Sequence, residues 1–316
     1  MARRSLAHES LANESVANES PAHESVAHES PANESVAHET ARPEPVSNHE
    51  PDRRSASRLS PALIRWLPPL LALLFLLGIW QLYATVSNVS SLVLPSPSAV
   101  LSALVSDRGA LWHNLKPTAA ETLLGLALAT GVGLLSAVLL HLFVPIRRAF
   151  YPLLVASQAI PVLILVPVLV MWLGFGLLPK LLVIALVCFF PIVVTTLSGL
   201  DAAEPDMVKL MRTFGAGRWQ TFWRVELPGA LPGLFTGVRL AAVFSVVGAV
   251  FAEWSGANQG LGYLMNVTIA NLETAESFAT VFVLAAFAIL LFALLTLAER
   301  RALPWVHRVK MRSDIR

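Results

Sequence analysis

The chain has 316 residues, 55% of them hydrophobic and only 14% charged, with a mean hydropathy of +0.63. Soluble domains are about a quarter charged, so this composition excludes water as the main solvent, and the single cysteine, Cys188, excludes a disulfide framework or a cysteine metal site. The net charge of +2 divides into −4 over residues 1–60 and +6 over the remainder, a basic balance that suits charged loops at a membrane surface and calls for no nucleic-acid partner.

From Leu6 to Thr40 a five-residue unit repeats seven times, from LAHES to VAHET. A period of five matches neither the helical nor the strand repeat, and so few large apolar residues cannot offset the entropy of ordering. Residues 1–60 are therefore expected to form a disordered cytoplasmic tail. His8, His23, His28 and His38 recur beside glutamates, a pattern that suits either transition-metal binding or a solvated repeat. No apolar stretch follows Arg3 and Arg4 in the manner of a signal peptide.

Residues 61–316 read as an all-α integral membrane domain. A membrane helix needs about 20 mostly apolar residues. Six stretches qualify: Trp66–Val86, Ala119–Phe143, Tyr151–Leu173, Leu181–Leu200, Leu234–Phe251 and Phe278–Leu297. Pro161 and Pro167 predict a kink in the third. With the N-terminus inside, inner segments hold Arg54, Arg58, Arg65, Arg147, Arg148, Lys209, Arg212, Arg218 and Arg224. They also hold Arg300, Arg301, Arg308, Lys310, Arg312 and Arg316, against only Arg108, Lys116 and Lys180 outside. The excess of positive charge inside sets both termini in the cytoplasm. After the first span, Ser96 and Pro97 suit the cap and first position of a short outer helix, with Leu101, Leu104 and Val105 as its apolar face.

The longest polar inner connection, residues 201–233, has the pattern of a helical hairpin. Asp201, Glu204 and Pro205 suit a helix start. Met207, Leu210, Met211 and Phe214 fall on one face at i, i+3, i+4 and i+7. Gly215 and Gly217 interrupt the helix, and a second one carries Trp219, Phe222 and Trp223 until Leu227-Pro228 stops it, with Pro232 repeating the stop. Large aromatics and arginines exposed to cytosol are anchors for a protein partner; an amphipathic connector lying on lipid is the alternative.

Gly215, nine residues, Val225, one residue, Leu227-Pro228 resembles the EAA loop of binding-protein-dependent ABC importer permeases, whose triplet is occupied here by Lys209-Leu210-Met211. The run Met211–Gln220, the run Leu227–Leu234 and the outer Leu94–Pro97 resemble the nitrate/sulfonate/taurine group of those permeases. The resemblance covers residues 62–310. It implies a type I permease fold in the bacterial cytoplasmic (inner) membrane and a loop seated on a separate ABC ATPase subunit. It further implies an extracytoplasmic solute-binding protein and a second permease copy, most simply as a homodimer. No G-x-x-x-x-G-K-[ST] phosphate loop occurs in the chain, so no cofactor is expected on it, ATP being bound by the separate subunit, and the chain is not read as an enzyme.

Charged residues within membrane helices are functional candidates. Arg239 and Glu253 are expected to line a translocation path, with Glu121 a lesser candidate and His141 simply solvated. The outer stretch from Glu253 to Ala257, followed by Gly260–Met265, resembles permeases for pyrimidine thiamine precursors or riboflavin-like compounds; an alkanesulfonate, taurine or nitrate is the alternative solute. A secondary transporter or channel would show buried acids at the bilayer midplane or broken-helix repeats, and a membrane enzyme would show a nucleophile–base or metal motif; the sequence has neither signature.

Overall fold

The structure, a computed structural model, describes residues 61–87 and 90–305; the expectations for the repeat tail and for the last basic residues fall outside them. Among the described residues eleven α-helices and one π-helical turn follow one another without a strand. Three long helices form the centre: α3 (Arg108–Leu142), α6 (Leu177–Asp201) and α9 (Leu227–Trp254). Lipid tails are as apolar as leucine, so membrane helices associate through close backbone packing at small residues rather than through the hydrophobic effect. A strip of such residues runs along α9, from Ala230 through Gly233, Gly237, Ala241, Ser245 and Gly248 to Ala252. A Cβ added at Gly233 would sit 2.6 Å from the Thr195 carbonyl of α6, and one at Gly199 would sit 3.1 Å from Ala230. On the other side of α6, Ile184 and Ile192 fill the notches left by Gly125 and Gly133 of α3.

These contacts fix the direction of each helix. Glu121 meets Lys180 and His141 meets Asp201, separations of 59 and 60 residues, so α3 and α6 run parallel in a constant register. Cys188 donates to the Ala241 carbonyl at 3.2 Å, while residue 184 approaches 248 and 199 approaches 230; α9 is therefore antiparallel to both. Because α3 and α6 are parallel, the segment between them must return across the membrane.

That return is where the structure departs from the sequence reading. The expected third span is not one kinked helix. It is two helices, α4 (Val144–Ser157, 14 residues) and α5 (Val162–Leu173, 12 residues), separated at residues 158–161. At 1.5 Å per residue each is about 18–21 Å long, too short to cross about 30 Å of hydrocarbon alone. The cause is Pro161, which lacks a donor and biases the preceding residue away from helix; it stands in extended conformation at the N-cap of α5. Five helices are long and apolar enough to span singly, and this broken pair supplies the sixth crossing. Pro167 sits inside α5 without ending it.

Helix α1 (Pro61–Val86) stands at the periphery, with Leu70, Leu74 and Phe75 exposed as a lipid-facing surface requires. Its outer end is held by Trp80, whose ring lies 6.0 and 6.2 Å from Phe278 and Phe282 of α11 (Thr274–Ala302), and by Gln81, which bonds Ser98. Ser96 caps α2 (Pro97–Ser106) as expected, accepting from the Ala99 amide at 3.3 Å. The buried face of α2 is Val100, Ala103 and Leu104, however, while Leu101 and Val105 are exposed. The narrow side carrying Ala103 permits the closer approach to α11 and α3. The last short helix, α10 (Leu261–Ala270), packs against α9, α11 and α3.

Close packing makes a sharp prediction. Gly233→Ala places a methyl against the α6 backbone, and such overpacking costs about 1–3 kcal/mol. Gly131→Ala meets nothing within 4 Å, and the gain in helix propensity is about 0.5–1 kcal/mol. Thermal unfolding of the detergent-solubilised chain should fall for G233A and hold or rise for G131A; equal midpoints would mean that α6 and α9 do not touch there.

Candidate functional site: an exposed hairpin and its anchors

The hairpin begins with α7 (Pro205–Thr213), which has Pro205 in its first turn and an exposed Asp206–Lys209 pair at 3.0 Å. Its end is built around Gly215, at φ +76°. The Gly215 amide donates to the Arg212 carbonyl at 2.9 Å and the Ala216 amide to Met211 at 3.0 Å. This is the paired-bond C-terminal motif in which glycine occupies the left-handed position. Gly217, at φ −70°, precedes α8 (Arg218–Thr221).

The second arm does not stop at Leu227-Pro228. Helix α8 passes into a π-helical turn, Phe222–Glu226, and on into α9 with Pro228 in its first turn and Pro232 inside it. Proline removes a donor and crowds the carbonyl four residues back. A single widened turn, in which the Leu227 amide reaches Phe222 five residues back, accommodates that defect without ending the helix. Gly229 and the small residues beyond it carry the same helix into the membrane.

The aromatics divide by role. Phe222 is only 2% exposed and packs with Ala137, Leu140, Leu197, Leu200 and Ala230, so it roots the hairpin in the bundle. Trp219 and Trp223 pack on it at 5.7 Å yet remain 62% and 52% exposed. Phe214 is 79% exposed, and Met207 and Leu210 stand free beside it, with Met211 partly covered. The residues expected to form one apolar face of α7 do so, and among the described residues that face has no partner. Leu227 and Pro228 are partly buried at the membrane end, where they join α9.

Polar contacts tie the hairpin to α3 and α4. Arg147 grips Asp201 with both guanidinium nitrogens, at 3.0 and 2.7 Å. His141, read from sequence as merely solvated, instead bridges Asp201 and Glu226 at 3.2 and 3.1 Å. Arg218 donates to the Leu142 carbonyl at 2.8 Å, satisfying one of the orphan carbonyls at the end of α3.

A second polar cluster lies at the outer end. Helix α3 presents Asn114, Thr118 and Glu121 on one face. Glu121 pairs with Lys180 of α6 at 2.5 Å. Glu253 is 1% exposed; Thr118 Oγ1 donates to one carboxylate oxygen and the Gly262 amide to the other, both at 2.6 Å. The Gly260 amide donates to Asn114 and the Leu261 amide to Thr118 Oγ1, at 2.9 and 2.8 Å. The first amides of α10 are thus capped by side chains of other helices, where an acid is favoured by the helix dipole. Gly260 is required twice over: its φ is +122°, and a Cβ would strike the Glu253 carboxyl.

Neither residue expected to line a path presents a free charge within this chain. Glu253 is enclosed with both oxygens engaged. Arg239 is bound to Glu299 of α11 at 2.7 Å and lies 6.0 Å from the Phe292 ring. In a low-dielectric surrounding a charge takes the nearest partner, and here those partners are on neighbouring helices.

Comparison with known proteins agrees with this geometry. Residues 129–307 match the model of the family "Binding-protein-dependent transport system inner membrane component". The chain is 38% identical over 240 residues to the formylaminopyrimidine transport permease protein ThiX of Halalkalibacterium halodurans, covering 76% of this chain and 96% of that one. It is 35% identical over 264 residues to the riboflavin transport system permease protein RibX of Chloroflexus aurantiacus, covering 83% and 97%. In fold it is similar to a crystal structure of an amino acid ABC transporter with histidines, with a TM-score of 0.52 at 19% identity over 64% of this chain and 98% of that one.

Gly215→Ala tests the hairpin bend, because open space surrounds the position and only the backbone is strained, by about 1–2 kcal/mol. Hydrogen exchange of the Ala216 amide should quicken about five- to thirtyfold, with α6 unchanged. Unaltered exchange at Ala216 would show that the glycine conformation is not needed.

Proposed function

Because this chain belongs to the family of binding-protein-dependent transport system inner membrane components, and is thereby the permease subunit of an ABC importer, we propose that residues 201–233 are the surface a separate ABC ATPase grips, and that the solute carried is a pyrimidine thiamine precursor or a riboflavin-like compound. The observation that carries the docking reading is the unpartnered apolar face of Phe214, Trp219 and Trp223, with Met207 and Leu210 beside them. Exposed apolar patches mark interaction sites, and aromatic anchors in a partner's pocket supply most of the energy of such contacts.

The mechanism asks no covalent chemistry of this chain. Nucleotide-driven closure of two ATPases displaces the hairpin. Phe222 and the continuous α8–α9 helix convert that displacement into movement of the membrane helices. One chain brings one hairpin, so two permease copies, most simply a homodimer, serve two ATPases in the bacterial inner membrane. An extracytoplasmic binding protein delivers the solute to the outer end. The solute class follows the names of the two relatives, a formylaminopyrimidine and a riboflavin permease; both compounds are planar nitrogen heterocycles. Alkanesulfonate, taurine or nitrate is the second reading.

Two measurements check this. Native Cys188 is buried, so a Trp219→Cys chain can be crosslinked at one site in membranes holding the assembled transporter. The product should contain the ATPase; labelling by lipid-phase probes alone would place the hairpin flat on the bilayer. Hydroxymethylpyrimidine or riboflavin should raise the melting temperature of the cognate binding protein, and a rise with taurine alone would move the solute to the second reading.

A further inference from the structure

The chain leaves the membrane into the hairpin at Asp201 and returns at Glu226, and the two carboxylates meet on one imidazole. His141 Nδ1 lies 3.2 Å from Asp201 and Nε2 3.1 Å from Glu226. Its ring lies 6.5 Å from that of Phe222, the buried root of the hairpin. His141 belongs to neither arm. It stands at the end of α3, the helix whose following carbonyl, Leu142, also holds Arg218, and Arg147 of α4 orients Asp201 from the other side.

The same two helices, α3 and α9, are joined again at the outer end, where Thr118 bonds Glu253. From Thr118 to His141 along α3 is about 35 Å at 1.5 Å per residue, the full thickness of the hydrocarbon core. A bond at each end, with α6 packed closely against both helices between them, makes α3 and α9 one body along their whole length. Without the inner bond, a force on the hairpin would reach α3 through its packing on α6 and the Arg218–Leu142 contact, with no direct side-chain tie from the hairpin's two roots.

We infer that His141 is a positioning residue which latches both roots of the hairpin to α3, so that displacement by the ATPase reaches the outer end of the α3–α9 pair as a rigid movement. The inference rests on the coupling reading of the hairpin, and its test separates the two. An Asn258→Cys chain carries a bimane label in the exposed outer loop after α9, with Cys188 buried. It is assembled with the ATPase subunit in nanodiscs and trapped with MgATP and vanadate. His141→Phe keeps a ring against Phe222 but loses both polar links; His141→Gln keeps a side-chain donor.

In H141F, ATP hydrolysis should remain within about twofold of wild type while the bimane response falls about tenfold, the scale of a typical coupling energy between sites. H141Q should keep about half of the response. An H141F response within about twofold of wild type would overturn the latch, and so would equal losses in H141F and H141Q. Should H141F fail to insert, Glu226→Leu removes the inner α3–α9 link from the hairpin side and is held to the same criteria. A wild-type assembly with no nucleotide-driven response would remove the coupling reading itself, and this inference with it.

Discussion

In hydrocarbon no water is available to an unpaired charge or backbone group, and the polar features of this chain are arranged around that constraint. Glu253 is held by a hydroxyl and a backbone amide, Glu121 by Lys180, and Arg239 by Glu299. Apart from the Gly262 amide, nine residues from Glu253, each pairing joins helices distant in sequence. The charges that made these residues candidates for a transport path are used to fix the relative positions of α3, α6, α9, α10 and α11. The large exposed aromatics Phe214, Trp219 and Trp223 stand at the other end, on the hairpin.

The bundle between the two ends depends on close approach rather than on large side chains. The Gly233 and Gly237 positions of α9 lie against the backbone of Thr195 and Pro191, and Ile192 fills Gly133 from the opposite side. Such contacts tolerate little sliding, because every step along the helix would bring a side chain against a backbone carbonyl. A rigid centre of this kind suits the coupling role proposed for the hairpin. In the broken α4–α5 pair, by contrast, Met171 and Trp172 are exposed, and Val166, with Val162 and Leu169 beside it, packs against α6 and α9.

Much of this was legible in the sequence. Hydropathy located the five helices long enough to span and the broken α4–α5 segment, and the 207–210–211–214 spacing gave the apolar face of α7. Ser96 and Pro97 marked the start of α2 by cap chemistry that is local. What failed was non-local. Proline signals at 228 and 232 read as stops, because nothing in a linear pattern announces the π-helical turn that absorbs the first of them. His141 looked solvated because its partners are 60 and 85 residues away. The outer cluster left one faint trace: Asn114, Thr118 and Glu121 share a helix face, a polar stripe at the mouth of an apolar span. Glu253 was singled out for its charge, yet its partners, the Gly262 amide at the start of α10 and the Thr118 hydroxyl, carry no sequence signature.

The departure from the family's triplet at Lys209-Leu210-Met211 is explained by the same geometry. Lys209 pairs with Asp206 on the exposed side, Leu210 adds to the free apolar face, and Met211 supplies the carbonyl that the Ala216 amide closes upon. None of these tasks needs a small or acidic side chain. The bend requires only the glycine that follows at 215, and the second arm requires only that the helix survive its prolines. Because the π-helical turn meets that second need, Trp219 and the small-residue strip of α9 lie on one continuous rod. If an ATPase grips the hairpin as proposed, a push on the indole is delivered along the helix axis to Gly233 and beyond, where α6 lies against the helix backbone.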